Sequence, residues 1–203
     1  MSAPDAGIFL WWLPLGAGGH FVRLNGRIYE LIRSRREHRP PLELYHTALE
    51  VVVPEGRYVI ENAWPIPDDH PDDRGVTVQG PVGLAALGRT RVFRYEVRVW
   101  RDGVIADAGY AVDGPVLVND APSSAAEILE LAAEVPVHVW GRDSLGLGEM
   151  WNSNSVISWL LTSVGIDALH IPPPTGGRAP GWLAGVLVAQ RSMETYPKTR
   201  QRS

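Results

Sequence analysis

Asn152-Ser153-Asn154-Ser155 is the stretch whose residue types and placement offer chemistry. It follows Trp151 and precedes Val156, Ile157, Leu160, Leu161 and Val164, whose spacing predicts a helix that Gly165 stops. Asn and Ser are favoured helix caps, so capping alone explains one of the four. A serine hydroxyl at a helix start would also sit among free backbone N–H groups at the positive dipole end, where an oxyanion is stabilised. Such a serine needs a base, because its hydroxyl is otherwise protonated. Of the six histidines, His46 in Leu44-Tyr-His-Thr-Ala-Leu-Glu-Val51 is the best placed, within a strand of a hairpin. Glu61 and Asn62 on the adjoining hairpin strand are in reach to orient its imidazole, although Glu61 is equally suited to pairing with an arginine.

Other polar runs carry less. Asp68-Asp-His-Pro-Asp-Asp73 holds four carboxylates and an imidazole. It matches no EF-hand spacing and contains Pro71, so it is read as a solvated acidic loop rather than a calcium or magnesium site. No metal or cofactor is expected. Trp140-Gly-Arg-Asp-Ser-Leu-Gly-Leu-Gly148 lacks the Lys-Ser/Thr of a phosphate loop and leads into the motif helix, which puts Arg142 and Asp143 at the edge of its cleft. Arg178-Ala-Pro-Gly-Trp182 is read as a structural turn.

The elements that must position these residues follow from periodicity and breakers. Ile8 to Leu15 is a buried apolar strand, and His20 to about Arg36 has helical spacing that Pro40-Pro41 ends. Leu42 to Val53 and Arg57 to Ala63 form a hairpin around Pro54-Glu-Gly56. Trp64 to Gly88 is loop-like, and Arg91 to Arg101 is a strand ended by Asp102-Gly103. A helix runs from about Ser124 to Ala133, capped by Ser123 or Ser124, before a short strand from Val137 to Trp140. A rigid loop, Pro172 to Gly177, precedes a last strand from Gly181 to Arg191.

Composition bounds the function. The 203 residues are 45% hydrophobic with a net charge of −4, which suits one folded domain over 1–195 with a polar, frayed tail at 196–203. Nucleic acid is not an expected partner, because the basic residues form only one short cluster, Arg33 to Arg39. There is no cysteine, which excludes disulfides and thiolate chemistry. The N-terminal apolar run is too short to span a bilayer and lacks a positive flank, so a cytoplasmic protein without a membrane span is expected. Eight tryptophans supply core and line a cleft for a small-molecule or peptide substrate.

A strand histidine in Tyr45-His-Thr-Ala-Leu-Glu-Val51, a polar residue on the paired strand, and a later Asn-nucleophile pair opening a tryptophan-containing helix form a recognisable order. It resembles the circularly permuted, lecithin retinol acyltransferase-like branch of the NlpC-type papain-like superfamily, over about Leu42 to Gly165. The resemblance implies an α+β fold of permuted papain-like topology, with a mostly antiparallel sheet and helices packed against it. It also implies hydrolase or acyltransferase chemistry on an amide or ester. Aligning the family's Asn-Cys with Asn152-Ser153 makes Ser153 the nucleophile in place of cysteine, His46 the base, and Glu61 or Asn62 the orienter. Asn152 and Asn154 would aid the oxyanion, while Trp151, Tyr45, Arg142 and Asp143 would contact substrate. A thiolate at a helix start is activated by its lowered pKa, an advantage serine largely lacks. The alternative is therefore a catalytically silent relative that binds a small ligand or peptide.

Overall fold

The computed structural model describes residues 6–16, 30–31, 33–65 and 75–195. It is an α+β fold in which an open sheet of seven strands carries helices on one face. The strands are β1 (Gly7–Pro14), β2 (Glu43–Val53), β3 (Gly56–Ala63), β4 (Val76–Pro81), β5 (Arg94–Arg101), β6 (Val116–Asn119) and the two-residue β7 (Gly177–Arg178). Their order is β4-β5-β3-β2-β1-β6, antiparallel throughout, with β7 added in parallel to the start of β2. Pro54 and Glu55 make the expected hairpin turn, and Gly56 at φ 148° starts the return strand in a conformation that glycine reaches freely.

Alternation along β2 sorts its side chains onto two faces. Tyr45, Thr47, Leu49, Val51 and Val53 turn toward the helices and join Ile8, Leu10, Trp12, Ile60, Tyr95 and Val97 in the main core. His46, Ala48 and Glu50 turn the other way. There Leu13, Ala48, Val59 and Ile105 form a smaller apolar cluster under the chain that follows β5. The main core is closed by a motif helix (Ser153–Ser163), a C-terminal helix (Trp182–Thr195) and a helix at Pro122–Leu131. Burying each Leu or Ile of this layer contributes on the order of 1.5–3 kcal/mol.

Several elements differ from the periodicity reading. The segment expected as a strand from Gly181 to Arg191 is helical from Trp182 onward. The reason is contact: Gly185 lets the helix backbone come so near Ser155 that an added Cβ would lie 2.0 Å from its carbonyl oxygen. The helix expected from Ser124 begins at Pro122, whose fixed φ suits the first turn, and Ala121 caps it without a side-chain bond. Between Trp64 and Gly88 lie β4 and a 3-10 turn at Ala85–Arg89, and β6 had no periodicity signal at all. Val137 to Trp140 is no strand; only Trp140 bridges, to Val82 on one side and Trp151 on the other. The acidic run 68–73, most of the 20–36 helix and the 196–203 tail lie outside the described residues, although 33–36 are helical.

Candidate functional site

The β2–β3 ladder runs from Val53↔Gly56 to Leu49↔Ile60 and stops there. Beyond it β2 continues against β1 and, at Glu43 and Leu44, the short β7, while Glu61 to Ala63 continue against β5 alone. The sheet forks at this point, and the motif helix starts in the fork, packed on both strands. Asn154 takes over part of the missing ladder: its Nδ2 donates to the Tyr45 carbonyl at 2.9 Å, and its Oδ1 accepts from the Thr47 hydroxyl at 3.0 Å.

The four polar residues of the motif divide their tasks. Asn152 is the N-cap, its Oδ1 accepting from the Asn154 and Ser155 backbone N–H groups, and the Ser155 hydroxyl accepts from the Asn152 N–H to close a capping box. Ser155 also donates to the Gly181 carbonyl at 2.8 Å, and Ser158 one turn later donates to that of Trp182 at 2.7 Å, so this side of the helix is bolted to the C-terminal helix. Ser153 alone has no task. The residue is 7% exposed, and among the described residues its hydroxyl makes no hydrogen bond, although its oxygen is not one of the buried unpartnered atoms and so reaches solvent. It shares a helix side with Val156, Ile157 and Leu160, all fully buried. Two residues of helix rotate it about 200° from Ser155, away from the C-terminal helix.

Asn62 stands on the β3 side of the fork. It pairs with Val97 in the ladder, which sets it on the helix face, and both its amide oxygen and its amide nitrogen are buried without a partner. Aromatic rings continue from it along the same face. Trp64 lies 6.5 Å from Trp140 between ring centres, and Trp140 lies 5.6 Å from Tyr95. Trp151 packs edge-on against His138 at 4.7 Å, and its indole N–H approaches the Tyr95 hydroxyl without closing a hydrogen bond. Trp64 is 47% exposed, so the aromatic row opens to solvent at its end. Burial holds the His138 imidazole below its ordinary pKa.

The other expected residues sit elsewhere. His46, one residue from Thr47, faces away from the motif helix, and no hydrogen bond joins it to Ser153 among the described residues. Its carboxylate neighbour is Asp107, with Nε2 3.7 Å from Oδ2, and not the expected Glu61 or Asn62. Burial lowers the His46 pKa, which Asp107 only partly offsets. Glu61 shares the His46 face but pairs with Arg98 at 3.3 Å; burial raises its pKa against the pull of Arg98. Arg98 is itself 3% exposed and also holds Glu96 at 3.1 Å and the Trp64 carbonyl at 2.8 Å.

Tyr45 is core, its ring filling the space a Cβ on Gly177 would need. Arg142 and Asp143 are exposed and organise their own loop: Arg142 donates to the Gly83 carbonyl, and Asp143 accepts from the Leu147 and Gly148 N–H groups. Arg178 bridges Glu37 and Glu149. Trp182 packs on Trp12 and donates to Ala168, within the core. No group of three candidate metal ligands occurs among the described residues, and no helix there is long and apolar enough to cross a membrane.

Asp107 carried no local signal, since it lies in an irregular segment that only the tertiary fold brings over β2. Arg98 and Glu96 alternate with apolar residues in Arg94-Tyr-Glu-Val-Arg-Val-Trp100, a pattern that looks like a solvent face. Nor does spacing distinguish Asn62 from a surface polar residue. Searches of protein families, curated proteins and solved structures find nothing that matches this chain.

Proposed function

We propose that the chain is a binding module for a small amide-bearing ligand or peptide, held in the fork between β2 and β3 with an apolar group against Trp64, Trp140 and Tyr95. The observation that carries this is Asn62. Leaving a buried polar group unpaired costs about 1–3 kcal/mol, and here donor and acceptor of one carboxamide are both unpaired. Their planar arrangement complements the C=O and N–H of a ligand amide, which would offset that cost on binding. The open aromatic row beside them supplies the apolar contact typical of a ligand cleft. This is the silent-relative alternative to the papain-like resemblance.

A second reading keeps the chemistry of that resemblance. The free Ser153 hydroxyl at the helix start and a neutral His46 with Asp107 behind it are the parts of a serine hydrolase or acyltransferase, and they would have to meet through the fork. Against it stand the missing Ser153–His46 hydrogen bond and the opposite facing of His46. Labelling with a fluorophosphonate separates the two. A binding module leaves the wild type unlabelled, while quenching of tryptophan fluorescence by N-acetyl amino-acid amides is retained in Ser153→Ala and lost in Asn62→Leu. Labelling of the wild type that disappears in folded Ser153→Ala and His46→Ala would replace the module with the enzyme.

A further inference from the structure

We infer that the ligand of the fork is a planar heterocyclic lactam of the nucleobase type, held by Asn62 along its amide edge and stacked on the aromatic row. This rests on the binding-module reading and names the chemistry of its ligand. The Oδ1 and the nearer Nδ2 hydrogen of an asparagine point the same way. Both are met at once only by a partner whose own N–H and C=O lie side by side. A trans peptide unit cannot do this, because its N–H and C=O point in opposite directions. Turning an open-chain secondary amide to cis costs about 2.5–4 kcal/mol, more than one hydrogen bond returns. A ring lactam is fixed in the cis form and carries no such cost. Asparagine grips the edge of a base in this bidentate way.

Both amide atoms of Asn62 are buried and unpartnered, so neither is reserved for another group of the described chain. Asn62 lies opposite Val97, and Tyr95 is two residues along that strand, on the same core-facing side. The Asn62 and Tyr95 side chains are therefore diagonal neighbours, about 7–8 Å apart. Tyr95 packs on Trp140 with the ring planes inclined by 48°, and Trp140 on Trp64 with an inclination of 44°. These rings offer faces to a flat ligand, and stacking a base on an aromatic side chain is worth about 1–3 kcal/mol. The Tyr95 hydroxyl donates to the His138 carbonyl, so Tyr95 adds a face and no competing donor. Neither amide atom of Asn62 touches solvent, so entry requires a neighbour to move; Trp64, 47% exposed at the end of the row, is the ring able to swing. The base comes free rather than on a phosphate chain. The net charge is −4, and in the one basic cluster Arg33 and Arg39 are already ion-paired with Glu37 and Glu30.

The test titrates the full chain with four compounds by calorimetry and tryptophan fluorescence. Uracil carries ring and edge; 1,3-dimethyluracil keeps the ring and lacks the N–H. N-acetyl-L-phenylalanine methylamide has an aromatic group but only trans amides, and the primary amide of N-acetyl-L-phenylalaninamide presents the edge without the ring. Uracil is expected to bind at least about tenfold more tightly than dimethyluracil or the methylamide. Asn62→Leu should abolish the difference. Asn62→Asp, which keeps the shape but replaces the donor by an acceptor, should lose uracil as well. Uridine 5′-monophosphate should bind no more tightly than uracil, and a gain of about tenfold from the phosphate would overturn the free base. Dimethyluracil or the methylamide binding as tightly as uracil, or a uracil preference undiminished in Asn62→Leu, would overturn the lactam. In that event binding of N-acetyl-L-phenylalaninamide that depends on Asn62 leaves the module standing. If no compound binds at millimolar concentration, both the lactam and the module fall.

Discussion

The two faces of the sheet at the β2–β3 fork are built from similar residues and treat them in opposite ways. On the face away from the helices the polar groups are charged and partnered: Arg98 holds Glu61, Glu96 and the Trp64 carbonyl, and Asp107 stands by His46. On the helix face they are neutral: Thr47 and Asn154 pair with each other, whereas the Asn62 amide is buried without a partner and no hydrogen bond to the Ser153 hydroxyl occurs among the described residues. Burial makes an unpaired charge far costlier than an unpaired amide or hydroxyl, so only the neutral face tolerates standing empty. On the proposed reading the charged face is framework and the neutral face is receptor. Arg98 joins them, since it grips from below the backbone of the tryptophan that ends the aromatic row.

The largest effect should come from breaking the framework. Arg98→Ala removes the buried cation beside Glu96, which keeps its bond from Gln79, and removes the partner of Glu61, and should cost about 3–5 kcal/mol in urea unfolding. Asn62→Leu on the opposite face removes an amide that bonds to nothing, and should change stability by less than about 1 kcal/mol in either direction while abolishing ligand binding. A large loss in Asn62→Leu would mean that its amide is satisfied in solution and would merge the two faces into one framework.

How much of this was legible beforehand depended on whether a signal was local. The hairpin and the motif helix followed from periodicity and from Gly56 and Gly165, because turns and caps are made by neighbours in sequence. The C-terminal segment looked like a strand because Val186 and Val188 alternate. Its helix exists because Gly185 admits Ser155 and Ser158 of another element, a fact no window of sequence holds. The same limit separated His46 from Ser153. The types were identifiable, but whether a strand residue faces the helix or the loop depends on register, and one residue changes the answer. Thr47 occupies the place expected for its neighbour.

Within the motif the expected effects are smaller and graded by partner. Asn154→Ala removes bonds to Tyr45, Pro180 and Thr47 and reopens the unpaired edge of β2, at about 2–3 kcal/mol. Asn152→Ala loses the cap, at about 1–2 kcal/mol. Ser153→Ala should lie within about 0.5 kcal/mol of wild type, since nothing in the chain depends on its hydroxyl. Thermal or urea unfolding of the three variants checks the order. A Ser153→Ala cost equal to that of Asn152→Ala would return Ser153 to the cap.

The gentlest probe of the comparison is pH, because each face holds one half-buried histidine. Burial lowers the pKa of both His46 and His138. The unfolded chain therefore takes up each proton first as pH drops through about 6.5, and stability falls with pH from there down to the depressed folded values. Glu61 has the reverse sign. Its folded pKa is raised, so the folded chain binds that proton first, and stability is regained as pH falls through the raised value toward the ordinary one near 4.5. Urea unfolding between pH 7.5 and 4.5 should thus show a decline and then a partial levelling. His46→Gln should flatten the decline on the framework side, and His138→Gln should remove its own share independently, because the two belong to different faces. A double variant no flatter than either single one would show that the histidines titrate as one unit and that the sheet does not separate the faces.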